Sequence, residues 1–145
     1  MDDKDELIKE FGNLWRIFTS YSNQYRTMEE FPRIERLTTM EISIIRIVYE
    51  REDVILKEIC TMLDIPKSTL TSAIDRLERL NYVNRTISKR DRRSYGLQLT
   101  EEGKAVKSEH LAFEKKLYGY ILSALDTNDE RKEFLKLFRK IVENI

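Results

Sequence analysis

Apolar side chains recur along this chain with two different periods, and the changes of period mark its elements. Leu7, Phe11, Leu14, Phe18, Tyr21 and Tyr25 follow one another at spacings of four, three, four, three and four, with Ile8 and Trp15 widening the stripe. That pattern predicts an amphipathic helix from about Asp5 to Tyr25. Phe31-Pro32 interrupts it, because a residue before proline avoids helical geometry. Thr38-Thr39-Met40-Glu41 reads as a capping box, in which hydroxyl and carboxylate each satisfy an orphan backbone N–H. The helix it opens carries Ile42, Ile45, Val48 and Tyr49. Glu50 to Asp53 is a polar connection, and Val54-Ile55 offers a short third strand. Leu56 to Leu63 reads as a short helix with Leu56, Ile59, Cys60 and Leu63 on one face. Asp64-Ile65-Pro66 is a turn, with Pro66 suited to the first position of the next helix, where its missing N–H costs nothing. That helix runs to about Leu80 and is expected to bury Leu70, Ala73, Ile74 and Leu77, with Asn81 as a left-handed stop.

The period then falls to two. Val83, Arg85 and Ile87 alternate with Tyr82, Asn84 and Thr86, and Tyr95, Leu97 and Leu99 alternate with Gly96, Gln98 and Thr100. These are half-buried strands that can pair as a hairpin. Its tip, Ser88 to Arg93, carries Lys89, Arg90, Arg92 and Arg93 against Asp91 alone. Thr100 can cap a long helix to about Leu125, with Glu101 and Glu102 where the helix dipole favours negative charge. Val106, His110, Phe113, Leu117, Tyr120 and Ala124 form one stripe of it. Thr127 to Glu130 is another capping box, and the final helix is expected to bury Phe134, Leu137, Phe138, Ile141 and Ile145. The fold class is mainly α with a small β-hairpin wing: a winged helix-turn-helix set between terminal helices. One domain over residues 1–145 is expected, with a lobe at 35–103 and dimerisation helices at 5–34 and 104–145. The terminal helices carry more apolar surface than the central unit can cover, and a two-fold dimer accounts for it.

Composition narrows the classes. A chain of 145 residues with only six Gly plus Pro is helix-rich and of single-domain size. Its apolar runs are too short to cross a bilayer, and the acidic start lacks the look of a signal peptide, so a cytoplasmic location is expected. One cysteine cannot form an internal disulfide. The net charge is zero, yet residues 67–93 hold eight basic and three acidic side chains, a local excess of +5. Such polarity suits one face that meets phosphate. No nucleophile–base pair, metal cluster or phosphate-binding glycine loop is visible, so no enzymatic activity, metal or cofactor is expected. Cys60 reads as a small buried hydrophobe. His110, without neighbouring ligand residues, reads as a core or interface side chain.

On a wheel of the 66–80 helix, Ser68, Ser72, Asp75, Arg76 and Arg79 lie opposite the apolar stripe, flanked by Thr69 and Thr71. Short hydroxyls allow close approach to base edges and phosphates, and an arginine can reach guanine. The bland alternative is a solvated face beside a hairpin whose charges discourage edge pairing. A basic tip adjoining that helix favours DNA, with Arg92 or Arg93 entering a narrow minor groove and Asp91 orienting an arginine.

Asp91-x-Arg93-x-x-x-Leu97-x-Leu99-Thr100-x-x-Gly103 resembles the wing signature of MarR-type transcriptional regulators. The resemblance continues upstream through Leu56-Lys57-Glu58-Ile59, Leu63, Ser68-Thr69-Leu70-Thr71, Asp75-Arg76-Leu77-Glu78 and Tyr82-Val83, covering about residues 35 to 110. It implies a homodimer held by the first and last two helices, binding double-stranded DNA at a pseudo-palindromic operator, usually as a repressor. By position, Ser68, Thr69, Thr71, Ser72 and Arg76 belong to the reading helix, with Lys67 at its start. Asp91 and Arg93 belong to the wing tip with Lys89, Arg90 and Arg92. Ser72 departs from the arginine common in the family, and Asn81 from its glycine. The resemblance also makes a small aromatic effector a candidate ligand, near Trp15, Phe18, Tyr21 and Tyr25. Reactive cysteines of peroxide-sensing relatives lie in the first helix, where this chain has none. A winged-helix module that binds an acidic protein instead of DNA is the competing function.

Overall fold

Residues 2–26 and 30–145 are described by a computed structural model, side chains at 22 and 24–26 excepted. Helix α1 (Asp3–Arg26) is followed by α2 (Pro32–Glu35), α3 (Thr39–Glu50), α4 (Leu56–Leu63) and α5 (Lys67–Arg79). Strands β1 (Val83–Ile87) and β2 (Tyr95–Leu99) precede α6 (Glu101–Ser123) and α7 (Asn128–Glu143). The chain divides into two compact units, Met1–Leu111 and Ala112–Ile145.

The core of the first unit forms where the apolar stripes of α3, α4 and α5 meet the inner face of the hairpin. Ile44, Ile45, Ile59, Leu70, Ile74, Leu77, Val83 and Val106 are all fully buried there. Thr38 caps α3 as its sequence predicts: its Oγ1 accepts from Glu41 N–H at 3.1 Å, and Glu41 Oε2 accepts from Thr38 N–H at 2.9 Å. The segment around Phe31-Pro32, which reads as an interruption, contains a short helix. Proline at its start costs no hydrogen bond, and Phe31, Ile34 and Leu37 are all buried. Pro66 sits one residue outside α5, at the N-cap, rather than at the first helical position. Val54-Ile55 contributes one bridge, Ile55 to Gly96, instead of a strand.

The strands pair antiparallel, with Val83 opposite Leu99, Arg85 opposite Leu97 and Ile87 opposite Tyr95. Burial fades along this face: Val83 and Leu97 are buried, while Ile87 and Tyr95 at the far end are exposed. The hairpin is fixed at its base. Asn81 adopts the left-handed conformation, φ 62°, that ends α5, and Thr100 N–H donates to Tyr82 O at 3.1 Å. Thr100 Oγ1 donates to Asn81 O at 2.6 Å and accepts from Gly103 N–H at 3.0 Å, capping α6. Gly103 is packed so closely that a Cβ would lie 2.0 Å from the Tyr82 carbonyl oxygen. The spacing from Thr100 to Gly103 thus records a helix start pressed against the strand entry.

In the second unit, Thr127 and Glu130 form the expected capping box of α7. Arg131 donates to Leu122 O at 2.9 Å and to Leu125 O at 2.7 Å, closing the turn between α6 and α7. The expected burial of α7 does not occur within one chain: Phe134, Leu137, Phe138, Ile141 and Ile145 are all exposed. The same holds for α1, where Leu7, Ile8, Phe11, Leu14, Trp15, Ile17 and Phe18 are between 43% and 68% exposed. Both helices are amphipathic, and among the described residues the large apolar side chains named here stand exposed.

Gly103→Ala is expected to cost about 2 kcal/mol or more, because the Tyr82 carbonyl is backbone and cannot swing aside. Denaturant unfolding measures this directly; a loss below about 0.5 kcal/mol would show that the close approach is not a constraint.

Candidate nucleic-acid interface

Helix α4 ends at Asp64 in the left-handed conformation, φ 51°, where its N–H reaches Cys60 O and Thr61 O. Aspartate tolerates this conformation better than most residues. Ile65 N–H donates to Cys60 O at 3.1 Å, so the chain leaves α4 sharply and enters α5 two residues later. Leu70, Ala73, Ile74 and Leu77 are buried, as the sequence predicts. At the start of α5, Lys67, Ser68, Thr69 and Ser72 are exposed. Thr71 is half-buried, and its hydroxyl donates back to Lys67 O at 2.9 Å.

Arg76 is differently placed from those hydroxyls. Its guanidinium pairs with Glu41 and donates to Arg36 O at 2.7 Å. Glu41 is 3% exposed, and a carboxylate so removed from water needs a cationic or hydrogen-bonding partner. Arg76 therefore ties α5 to the end of α2 and the start of α3. Arg85 on β1 pairs with Asp75, at 2.6 Å, and with Glu78. It pairs with both carboxylates of α5 and fixes the hairpin to that helix.

The wing tip is organised by two aspartates. Asp53, left-handed at φ 51° in the α3–α4 connection, accepts through Oδ2 from Ser88 Oγ at 2.9 Å and from Arg90 N–H at 3.0 Å. Arg90 donates from Nη2 to Asp53 O at 2.9 Å and pairs with Glu58. The guanidinium thus faces protein carboxylates. Ser88, at 1% exposure, is the buried end of the arrangement. Asp91 accepts from Arg93 N–H at 3.1 Å and from Ser94 Oγ at 2.9 Å. It orients Arg93 through the backbone of the turn rather than through the guanidinium.

Of the eight basic residues between 67 and 93, three are thus taken up by carboxylates: Arg76, Arg85 and Arg90. Among the described residues, Lys67, Arg79, Lys89, Arg92 and Arg93 form no ion pair, and all five are exposed. Arg79 was visible on the polar face of the helix wheel but is not singled out by the family signature. Glu41, Asp53 and Glu58 had no signal of this kind in the sequence, because their arginine partners lie 32 to 37 residues away.

Two helices at a sharp turn, followed by a hairpin bonded to the second of them, define a winged helix-turn-helix protein. Residues 37–95 match the model of the MarR family. Over 141 residues the chain is 24% identical to YwhA of Bacillus subtilis, an HTH-type transcriptional regulator, covering 97% of this chain and 99% of that one. It is 33% identical over 88 residues to the HTH-type transcriptional repressor MdtR of Bacillus subtilis, covering 61% and 56%. The fold is similar to that of Streptococcus pneumoniae FabT, solved in complex with DNA, with a TM-score of 0.70, 20% identity and coverage of 98% and 99%. Residues 37–95 thus carry a segment similar to the MarR family, and the relatives the chain resembles are HTH-type transcriptional regulators.

The aromatic residues of α1 form a ladder, with the Trp15 ring 6.0 Å from Phe11 and 6.2 Å from Phe18. Trp15 and Phe18 are exposed and Tyr21 is half-buried, while the Tyr25 side chain lies outside the described residues. Among the described residues no three His, Cys, Asp or Glu side chains are grouped to hold a metal, and no helix is long and apolar enough to cross a membrane.

Arg90 also sets the protonation of its partners. The Asp53 carboxyl is held below the usual carboxylate range first by the Arg90 backbone N–H, and Glu58 first by the Arg90 guanidinium. Both bind protons more weakly folded than unfolded. Their contribution is therefore complete above the ordinary carboxylate pKa of about 4 and is lost as pH falls through the lowered values. Amide exchange at residues 88–94, corrected for intrinsic rates, is expected to stay protected down to about pH 4 and to lose protection below it. Protection that persists unchanged to about pH 2 would contradict this anchoring.

Proposed function

We propose that this chain is a sequence-specific regulator that binds a pseudo-palindromic operator as a homodimer and represses by occupying it. The observation that carries the reading is electrostatic. Five uncommitted cations and the exposed hydroxyls of Ser68, Thr69 and Ser72 lie on α5 and the hairpin tip, while Asp75 and Glu78 are both paired with Arg85. Helix α5 would enter the major groove with Lys67 and the hydroxyls near base edges and phosphates. Arg92 and Arg93 would reach the neighbouring minor groove, where narrow A·T-rich segments attract arginine. The likeness to FabT, solved with DNA, supports this use of the fold, and the likeness to the repressor MdtR supports the sign of the response.

The uncovered apolar faces of α1 and α7 support dimerisation through residues 5–34 and 104–145 around the lobe at 35–103. A second copy would cover the Phe11–Trp15–Phe18 ladder and, with Tyr21, could enclose a small aromatic effector. A panel of phenolic compounds that neither raises Tm nor releases DNA would remove the effector from this reading.

Selection from random duplex DNA is expected to recover paired half-sites about 10 base pairs apart, centre to centre. Arg93→Ala is expected to weaken binding of the selected duplex about tenfold for each subunit's contact, or about 1.4 kcal/mol apiece. Failure to enrich any sequence, together with capture of an acidic protein by the same face, would favour an interaction module instead.

A further inference from the structure

Two carboxylates stand beside the basic tip of the wing, and simple Coulomb reasoning makes them a hindrance to any polyanion. Their geometry says otherwise. Asp53 Oδ2 receives both the buried Ser88 hydroxyl and the Arg90 backbone N–H, at 2.9 and 3.0 Å. Ser88 Oγ in turn accepts from Arg90 N–H and Asp91 N–H, each at 3.2 Å. The first half of the tip is thereby bonded to the α3–α4 connection through backbone as well as side chain.

Glu58 links the same cluster to the helix-turn-helix. Its Oε1 accepts from Ile55 N–H at 3.2 Å, capping α4, and pairs with the Arg90 guanidinium, which also reaches Asp53 O at 2.9 Å. Both of those acceptors are met by one nitrogen, Nη2, while Nε lies 3.7 Å from Asp53 Oδ2, a second point of contact that the single charge of a lysine ammonium does not supply. Directly after this anchored segment come Arg92 and Arg93, exposed and free of ion pairs.

We propose that Arg90, Asp53 and Glu58 form a latch that positions the wing, so that two acidic residues strengthen DNA binding instead of opposing it. This rests on the DNA-binding reading above. An unlatched tip would have to be ordered by DNA at the moment of binding, and that ordering subtracts from affinity. Arg90 is then a positioning residue, and Arg92 and Arg93 are the groups it positions.

The test uses the full chain and the tightest duplex recovered from the random selection. Glu58→Gln and Asp53→Asn are expected to weaken binding about five- to tenfold, with the salt slope unchanged. Arg90→Lys should fall with them, and the exchanged pair Glu58→Arg with Arg90→Glu should recover most of the loss. Trypsin, which cuts at the lysine and arginines of the tip, reports the latch without DNA: the Glu58→Gln wing should be cleaved several-fold faster. The proposal is overturned if the two acid variants bind equally or more tightly with unchanged cleavage. It is also overturned if Arg90→Gln lowers the salt slope by about 1 per subunit while Glu58→Gln does nothing, since Arg90 would then be a phosphate contact. Should the wild-type chain bind no duplex, the DNA reading fails, and the trypsin rates decide the latch alone: equal cleavage overturns it and faster cleavage upholds it.

Discussion

A carboxylate taken out of water has to find a partner, and the DNA-binding lobe is arranged around one that does. Glu41 caps α3 through the Thr38 N–H and pairs with Arg76 of α5, whose guanidinium also holds the carbonyl of Arg36. One buried group thus joins the end of α2, the start of α3 and the middle of the helix that would enter the major groove. Loss of either partner would leave the other without its counter-charge, which is the costly way to break such a pair. The position of α5 follows from this contact as much as from its apolar stripe.

The same division recurs in the wing. Arg85 holds the hairpin to α5 through Asp75 and Glu78, and Arg90 holds the tip to Asp53 and Glu58. At the base, Gly103 lets α6 start against the Tyr82 carbonyl. Three arginines of a basic region are consequently engaged with carboxylates of the protein itself. Lys67, Arg79, Lys89, Arg92 and Arg93 are left to present charge to a partner. The net excess counted along the sequence and the cations left to meet a partner are therefore different quantities, drawn from different residues.

Most of the architecture was legible from period and punctuation. The helix-turn-helix, the stripe on α5, the hairpin and both capping boxes involve residues within a few positions of one another, where sequence carries the physics. The short α2 was not legible, because Phe31-Pro32 reads equally as a break, and a four-residue helix with one buried side chain, Ile34, is too short to show a period. The stripe of α7 was legible too, but periodicity does not say whether its cover comes from the same chain or from a second copy, and in one chain it is open. At the candidate site, the hydroxyl face and the basic tip could be read directly. The roles of Arg76 and Arg90 could not, since a basic residue on a polar face looks the same whether it meets phosphate or a carboxylate thirty residues away.

The central claim is that arginines on the same helix do different work, and α5 offers the cleanest comparison. Salt dependence of DNA binding separates them, because removing a side chain that neutralises one phosphate makes the slope of log K against log salt shallower by about 1 per subunit. Arg79→Ala is predicted to produce that change with little effect on unfolding. Arg76→Ala is predicted to leave the slope unaltered while lowering the stability of the fold. The reverse assignment, a shallower slope for Arg76→Ala with the fold as stable as before, would contradict the account.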